Sequence, residues 1–255
     1  MILGTADLGV GLNRFGYLLV APDGVVSLPT TSVSARFVGE AAVDAPPQEA
    51  TAEYHAWPYG QRGLYTTDLT VDRPGPWAVD IVVEGPGGSR RTAELFFEVL
   101  EAPSALAVGA PAFRSESKTL DDVESIAQLS TGSLQDPDLY RLTIADAVTN
   151  GLPTVIVFAS PAFCTNEVCG PQVDVLKALK DRYRGLANFV HVDFYDNPGE
   201  FQNNPDLARV SPTVFEWGLP SLEWSFVIDR DGVVAARFEA FATFEEIEAA
   251  LVRAL

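Results

Sequence analysis

Two cysteines, Cys164 and Cys169, stand five positions apart, with the four residues Thr165-Asn-Glu-Val168 between them, and the chain has no others. A close thiol pair can form a reversible disulfide, in which one thiolate attacks a foreign sulfur and the second resolves the product. The spacing constrains how this pair can close. On an unbroken helix, residues five apart lie about 140° apart around the axis and about 7.5 Å apart along it. A disulfide needs Cα atoms within roughly 7 Å, so a regular helix cannot carry the bond. Gly170-Pro171 follows the pair, and proline suits the first turn of a helix. Two arrangements stay open. Either the helix begins at Pro171 and residues 164–169 form a loop that can close, or it begins at Thr165 and unwinds when the bond forms. A thiolate at a helix N-terminus is stabilised by the dipole and the free N–H groups.

The remaining candidate chemistry is thin. The only histidines are His55 and His191. His191 alternates with Val190 and Val192 and reads as a core or interface residue that could face either layer. Asp229-Arg-Asp-Gly232 has the start of a calcium loop without its later ligands, and reads as a hairpin turn. Gly85-Pro-Gly-Gly88 is a loop with no helix after it, so it does not cradle phosphate. Asn13-Arg14-Phe15 reads as a strand entry as readily as a contact site. Glu216, Trp217 and Trp224, near Pro220, could shape a groove or simply pack. No metal and no organic cofactor is implied.

The elements that must position the cysteines follow a β-α-β, β-β-α order. Pro153–Ala159 is a continuous apolar run, as in a strand buried on both faces. Pro171–Tyr183 has the apolar stripe of an amphipathic helix. Ala187–Phe194 reads as a second buried strand, and a long loop spans 195–218. Trp224–Ile228, the turn 229–232 and Val233–Phe238 form a hairpin. Thr243–Leu255 is a closing helix, with Thr243 and Glu246 as a capping box. Upstream, Asp136 and Pro137 open an expected helix through Val148, closed by Asn150-Gly151.

Residues 1–101 carry no helical pattern of useful length. Short β-branched and aromatic runs, at 17–20, 25–28, 32–38, 51–57, 63–71, 77–83 and 92–100, are separated by turn chemistry. About seven such strands imply an immunoglobulin-like β-sandwich, without the Cys-Trp-Cys framework of antibody domains. Asp72-Arg-Pro-Gly-Pro-Trp77 resembles the corner of small extracytoplasmic sandwich domains. Residues 102–114, small and with two prolines, read as a linker, and 115–255 as the second domain.

The order of elements in the second domain resembles the thioredoxin fold. Both cysteines fall where that fold keeps its redox pair. Gly218-Leu-Pro-Ser, followed by Trp-Ser-Phe-Val-Ile-Asp-Arg-Asp-Gly232, and the earlier Gly109-Ala-Pro-Ala-Phe113 resemble extracytoplasmic thioredoxins of the cytochrome-maturation type. That resemblance implies a cis-proline at Pro220 facing the cysteines, with Cys164 as attacking thiolate and Cys169 as its resolving partner. It implies thiol–disulfide exchange with a protein thiol or disulfide. The family spacing has two residues between the cysteines, and this chain departs from it. Cys-Thr-x-Glu-x-Cys also resembles the pair of one peroxiredoxin branch, a second reading as a thiol peroxidase. There Val157 and Pro161 stand where peroxiredoxins place a proline and a Thr or Ser. Copper chaperones of this fold use a distant histidine, which makes metal binding a third and weaker reading. The non-catalytic reading is a binding protein with a structural disulfide.

Composition narrows the partners. Thirty-five acidic against 17 basic residues give a net charge of −18, which repels nucleic acid and anionic lipid. No apolar run reaches membrane-span length, and the first residues lack the features of a signal peptide. The cysteine economy leans towards an extracytoplasmic setting with the leader, and any membrane anchor, upstream of this chain. A cytoplasmic protein stays open, as does the oligomeric state.

Overall fold

Backbone pairing in the first hundred residues is non-local, and this decides which runs become strands. In the computed structural model, which describes residues 1–255 apart from Asp23, 41–45, 59–61, 164–167 and Asn203, the chain divides into two units, Met1–Pro103 and Ser104–Leu255. The first contains β1 (Ile2–Leu3), β2 (Gly11–Leu18), β3 (Val20–Ala21), β4 (Gly24–Val25), β5 (Thr30–Phe37), β6 (Gln48–Ala56), β7 (Gly63–Val71), β8 (Gly75–Glu84) and β9 (Arg90–Val99). Their order is β1-β2-β7-β6-β5-β8-β9, with β3-β4 a separate ribbon. A parallel bridge between Gly9 and Leu100 links the chain just before β2 to the end of β9. Phe15, Tyr17, Val33, Tyr65 and Ile81 form its core.

Strand β2 starts well before the expected Tyr17. Its polar stretch Gly11–Arg14 has weak strand propensity but pairs residue by residue with β7. Asn13 is tied locally, its side-chain amide donating to the carbonyls of Gly9 and Gly11. Pairing with a distant strand overrides propensity here.

The second unit contains α1 (Ile144–Ala147), β10 (Thr154–Phe158), α2 (Cys169–Arg182), β11 (Asn188–Val192), α3 (Pro198–Phe201), α4 (Pro212–Glu216), β12 (Trp224–Ile228), β13 (Val234–Glu239) and α5 (Phe244–Ala254). Its sheet runs β11-β10-β12-β13. β10 pairs parallel with β11 and antiparallel with β12, which pairs antiparallel with β13. Every residue of β10, β11 and β12 is buried, as continuous apolar runs require. One face packs on α2 and α5 through Val155, Val157, Leu176, Val227 and Leu251. The other packs on α1 and α4 through Ile144, Ile156, Val214 and Phe226. This parallel-then-antiparallel sheet between two helical layers is a thioredoxin-like arrangement.

Two expectations are corrected. Of the expected linker, 102–114, the residues from Ser104 on belong to the second unit. Gly109 and Ala112 donate backbone bonds to Val234 and Gly232, and Val234 donates to Ala110, so this segment pairs with the start of β13 and the turn before it, and Ala105 is buried. The helix expected over 136–148 is two pieces. Asp136 does cap a 3-10 turn, Pro137–Tyr140, but Thr143 caps α1 separately.

Candidate functional site

Helix α2 begins at Cys169, so Pro171 falls in its first turn, where a missing N–H costs nothing. Cys169 is fully buried and packs with Val173, Leu176 and Val157. No acidic residue lies in the first turn of α2, so the helix dipole there is unopposed by a local carboxylate. Cys164 lies outside the described residues, as do Thr165, Asn166 and Glu167. The chain reaches that segment through a tight turn after β10, in which Phe163 N–H donates to the Ser160 carbonyl at 3.1 Å. The Phe163 ring packs on Phe201 with centroids 4.0 Å apart, and Tyr195 packs on the same ring at 4.1 Å. A groove of about 250 Å³ passes this turn, lined by Thr131, Leu134, Pro161, Ala162, Gly170 and Lys177 among others.

Pro220 is exposed, and among the described residues no peptide bond is cis. The Leu219–Pro220 bond is therefore trans, unlike the cis-proline that the resemblance implied. Pro220 lies in the loop ahead of β12, and the residue next to that strand is Glu223. Glu223 is buried, with both carboxylate oxygens sealed from solvent. Strand alternation puts it on the face of Val227, which packs in the same core as Cys169.

Trp217 and Trp224 are fully buried core residues. Their indole N–H groups donate to Ser115 and Ser221 at 2.9 Å each, so neither lines a groove. His191 faces the α2 layer. Its Nε2 bonds the Ala159 carbonyl at 3.0 Å and its Nδ1 meets the Tyr140 hydroxyl at 2.6 Å. A carbonyl only accepts, so Nε2 carries the proton and Nδ1 accepts from Tyr140. Burial holds the imidazole neutral, its pKa pushed down to about 4. Burial likewise raises the Tyr140 hydroxyl. Both ring nitrogens are used, which suits a core histidine. No cluster of His, Cys, Asp and Glu able to hold a metal occurs among the described residues.

Sequence reasoning missed a buried acid beside the turn 160–163. Asp193, just past β11, is buried. Its Oδ2 accepts from Thr131 N–H at 2.7 Å and Thr131 Oγ1 at 2.9 Å, and its Oδ1 accepts from Tyr195 N–H at 3.1 Å. Ser160 also hydrogen-bonds it. Burial pushes its pKa up to about 6, against these donors, which lower it. The only trace in the sequence is one carboxylate inside a strand-like run, Phe189 to Phe194.

No family model matches the chain, and no curated protein matches it. Among solved structures, it is similar to a thiol:disulfide interchange protein of the thioredoxin family from Chlorobium tepidum TLS. The identity is 14% over 59% of this chain and 97% of that one, with a TM-score of 0.36. So distant a likeness carries no argument, and the thioredoxin-like arrangement rests on strand order and layers. Among the described residues no helix is long and apolar enough to cross a membrane.

Proposed function

We propose that the C-terminal unit is a thiol–disulfide oxidoreductase acting on protein thiols or disulfides through Cys164 and Cys169. The observation that carries this is the start of α2 at Cys169. Cys169 is thus the first residue of the helix and not part of its interior, which supports the reading that a four-residue spacing need not be spanned by regular helical turns. In the reducing direction, the Cys164 thiolate attacks one sulfur of a partner disulfide and the other sulfur leaves as a thiolate. The Cys169 thiolate then attacks Cys164 in the mixed disulfide, releasing the second partner thiolate and closing Cys164–Cys169. The oxidising direction runs the same steps backwards. We read the N-terminal unit as an immunoglobulin-like all-β domain, supported by the antiparallel pairing of its strands, which join in one continuous seven-stranded order rather than the two separate sheets expected of a sandwich, and the whole as extracytoplasmic, supported by cysteine economy alone.

A second reading, a binding protein with a structural disulfide, is favoured by a cavity of about 510 Å³ in the N-terminal unit, bordered by Leu19, Val26, Leu28, Val83 and Arg91. The peroxidase reading gains nothing: Val157 is a core residue of β10, and Pro161 lies in the following turn. A redox titration of the purified chain, with thiols counted by mass after alkylation, separates the first two readings. A midpoint between about −120 and −270 mV supports exchange. A bond that stays closed throughout that range overturns it in favour of the structural disulfide.

A further inference from the structure

Three segments that are distant in sequence meet at one carboxylate. Asp193 draws Thr131 and Ser160 to itself, and Thr131 Oγ1 lies 3.2 Å from Ser160 Oγ. Thr131 Oγ1 also accepts the backbone N–H of Ala162 at 3.2 Å. Ala162 belongs to the turn 160–163, two residues before Cys164. The polarity of the chain is set at its end. The carboxylate accepts the Thr131 hydroxyl proton, which leaves the hydroxyl oxygen to accept from Ala162.

We propose that Asp193 is a positioning residue for the turn 160–163: through Thr131, its carboxylate holds Ala162, two residues before Cys164 in the sequence. Protonation makes one carboxyl oxygen a donor, so fewer acceptor sites remain for four donors and the hold on Ala162 slackens. A cavity of about 170 Å³ bordered by Asp193 gives water a place to exchange that proton. Bordering the same cavity as Asp193 are Tyr140 from the 3-10 turn 137–140, neutral His191 from β11, and Tyr195. Across the cavity stand Glu116 and the ion pair Lys118–Asp196, which is 2.7 Å long. Its consequence for exchange rests on the function proposed above, whereas the hold itself does not.

The test is the Ala162 amide signal of the full oxidised chain, followed by NMR from pH 4.5 to 8. The wild type is expected to titrate with a midpoint near pH 6, and Asp193→Asn and Thr131→Val are expected to be flat. A flat wild-type signal, or a titration that survives in either variant, overturns the proposal. Thr131→Val leaves the carboxylate in place and keeps the test readable if Asp193→Asn does not fold. In parallel, the rate of disulfide reduction by a water-soluble phosphine is compared between wild type and Thr131→Val. The ratio of rates is expected to change at least threefold across pH 6, and a constant ratio overturns the bearing on the cysteines. A disulfide that never opens sinks the exchange function, while the Ala162 titration still decides the role of Asp193.

Discussion

If Cys164 attacks and Cys169 resolves, replacing each has a different consequence. Cys169→Ser leaves an attacking thiolate without a resolving partner, so a mixed disulfide with a model disulfide peptide should accumulate and be visible as an added mass. Cys164→Ser should form none. Equal trapping by both variants would remove the assigned order. A second residue-scale expectation concerns acid. Asp193 has a folded pKa of about 6, above its ordinary 3.8, so the folded form binds the proton more tightly. Its destabilising cost is full above about pH 6 and fades as pH falls towards 3.8. His191 has a folded pKa of about 4, below its ordinary 6.5. Its neutral burial becomes costly as pH falls from 6.5 towards 4, because only the unfolded chain takes up the proton. Each displacement corresponds to about 3 kcal/mol, and the two act in opposite directions over nearly the same interval. Urea unfolding of Asp193→Asn should therefore lose stability relative to wild type as pH falls from 6.5 to 4.5, and His191→Gln should gain. Parallel pH curves for all three proteins would contradict both assignments.

At the scale of elements, α5 offers a local test. Thr243 Oγ1 accepts Glu246 N–H at 3.2 Å, and Glu246 Oε2 accepts Thr243 N–H at 2.9 Å. Thr243→Ala should cost about 1 kcal/mol in urea unfolding, and no loss would mean the cap is replaceable by water. This box was legible because its two bonds lie within four residues. β10 and β11 were legible because burial on both faces leaves an unbroken apolar run. The break between Tyr140 and Ile144 was not, although Asp136 and Pro137 marked the start correctly. The Thr143 hydroxyl starts a second cap by accepting Asp146 N–H, while Ile144 N–H goes to the Ser117 hydroxyl, 27 residues upstream. Long-range partners of this kind also hide Asp193, whose significance depends on Thr131 and Ser160. The trans bond before Pro220 shows a related limit, since a residue type in sequence does not fix the isomer of the bond before it.

At the scale of the molecule, the boundary between the units has an energetic signature. Composition placed it in a stretch of small residues and prolines, 102–114, and such a stretch reads as a linker when its bonds go unseen. Its backbone instead bonds to the start of β13 and the turn before it through Gly109, Ala110 and Ala112. Its first residues are held as closely. Arg237 donates to the carbonyls of Ala105 and Leu106. Gly218, at φ +64, leaves no room for a side chain, because an added Cβ would sit 2.2 Å from the Ser104 carbonyl oxygen. A fragment beginning at Ser104 keeps these contacts and one beginning at Ser115 loses them all. Three backbone hydrogen bonds at about 1 kcal/mol each, with the burial of Ala105 added, predict a difference of about 3–4 kcal/mol in urea unfolding, the longer fragment being the more stable. Equal midpoints would mean that the segment only lies along β13 and that the unit effectively starts at Ser115.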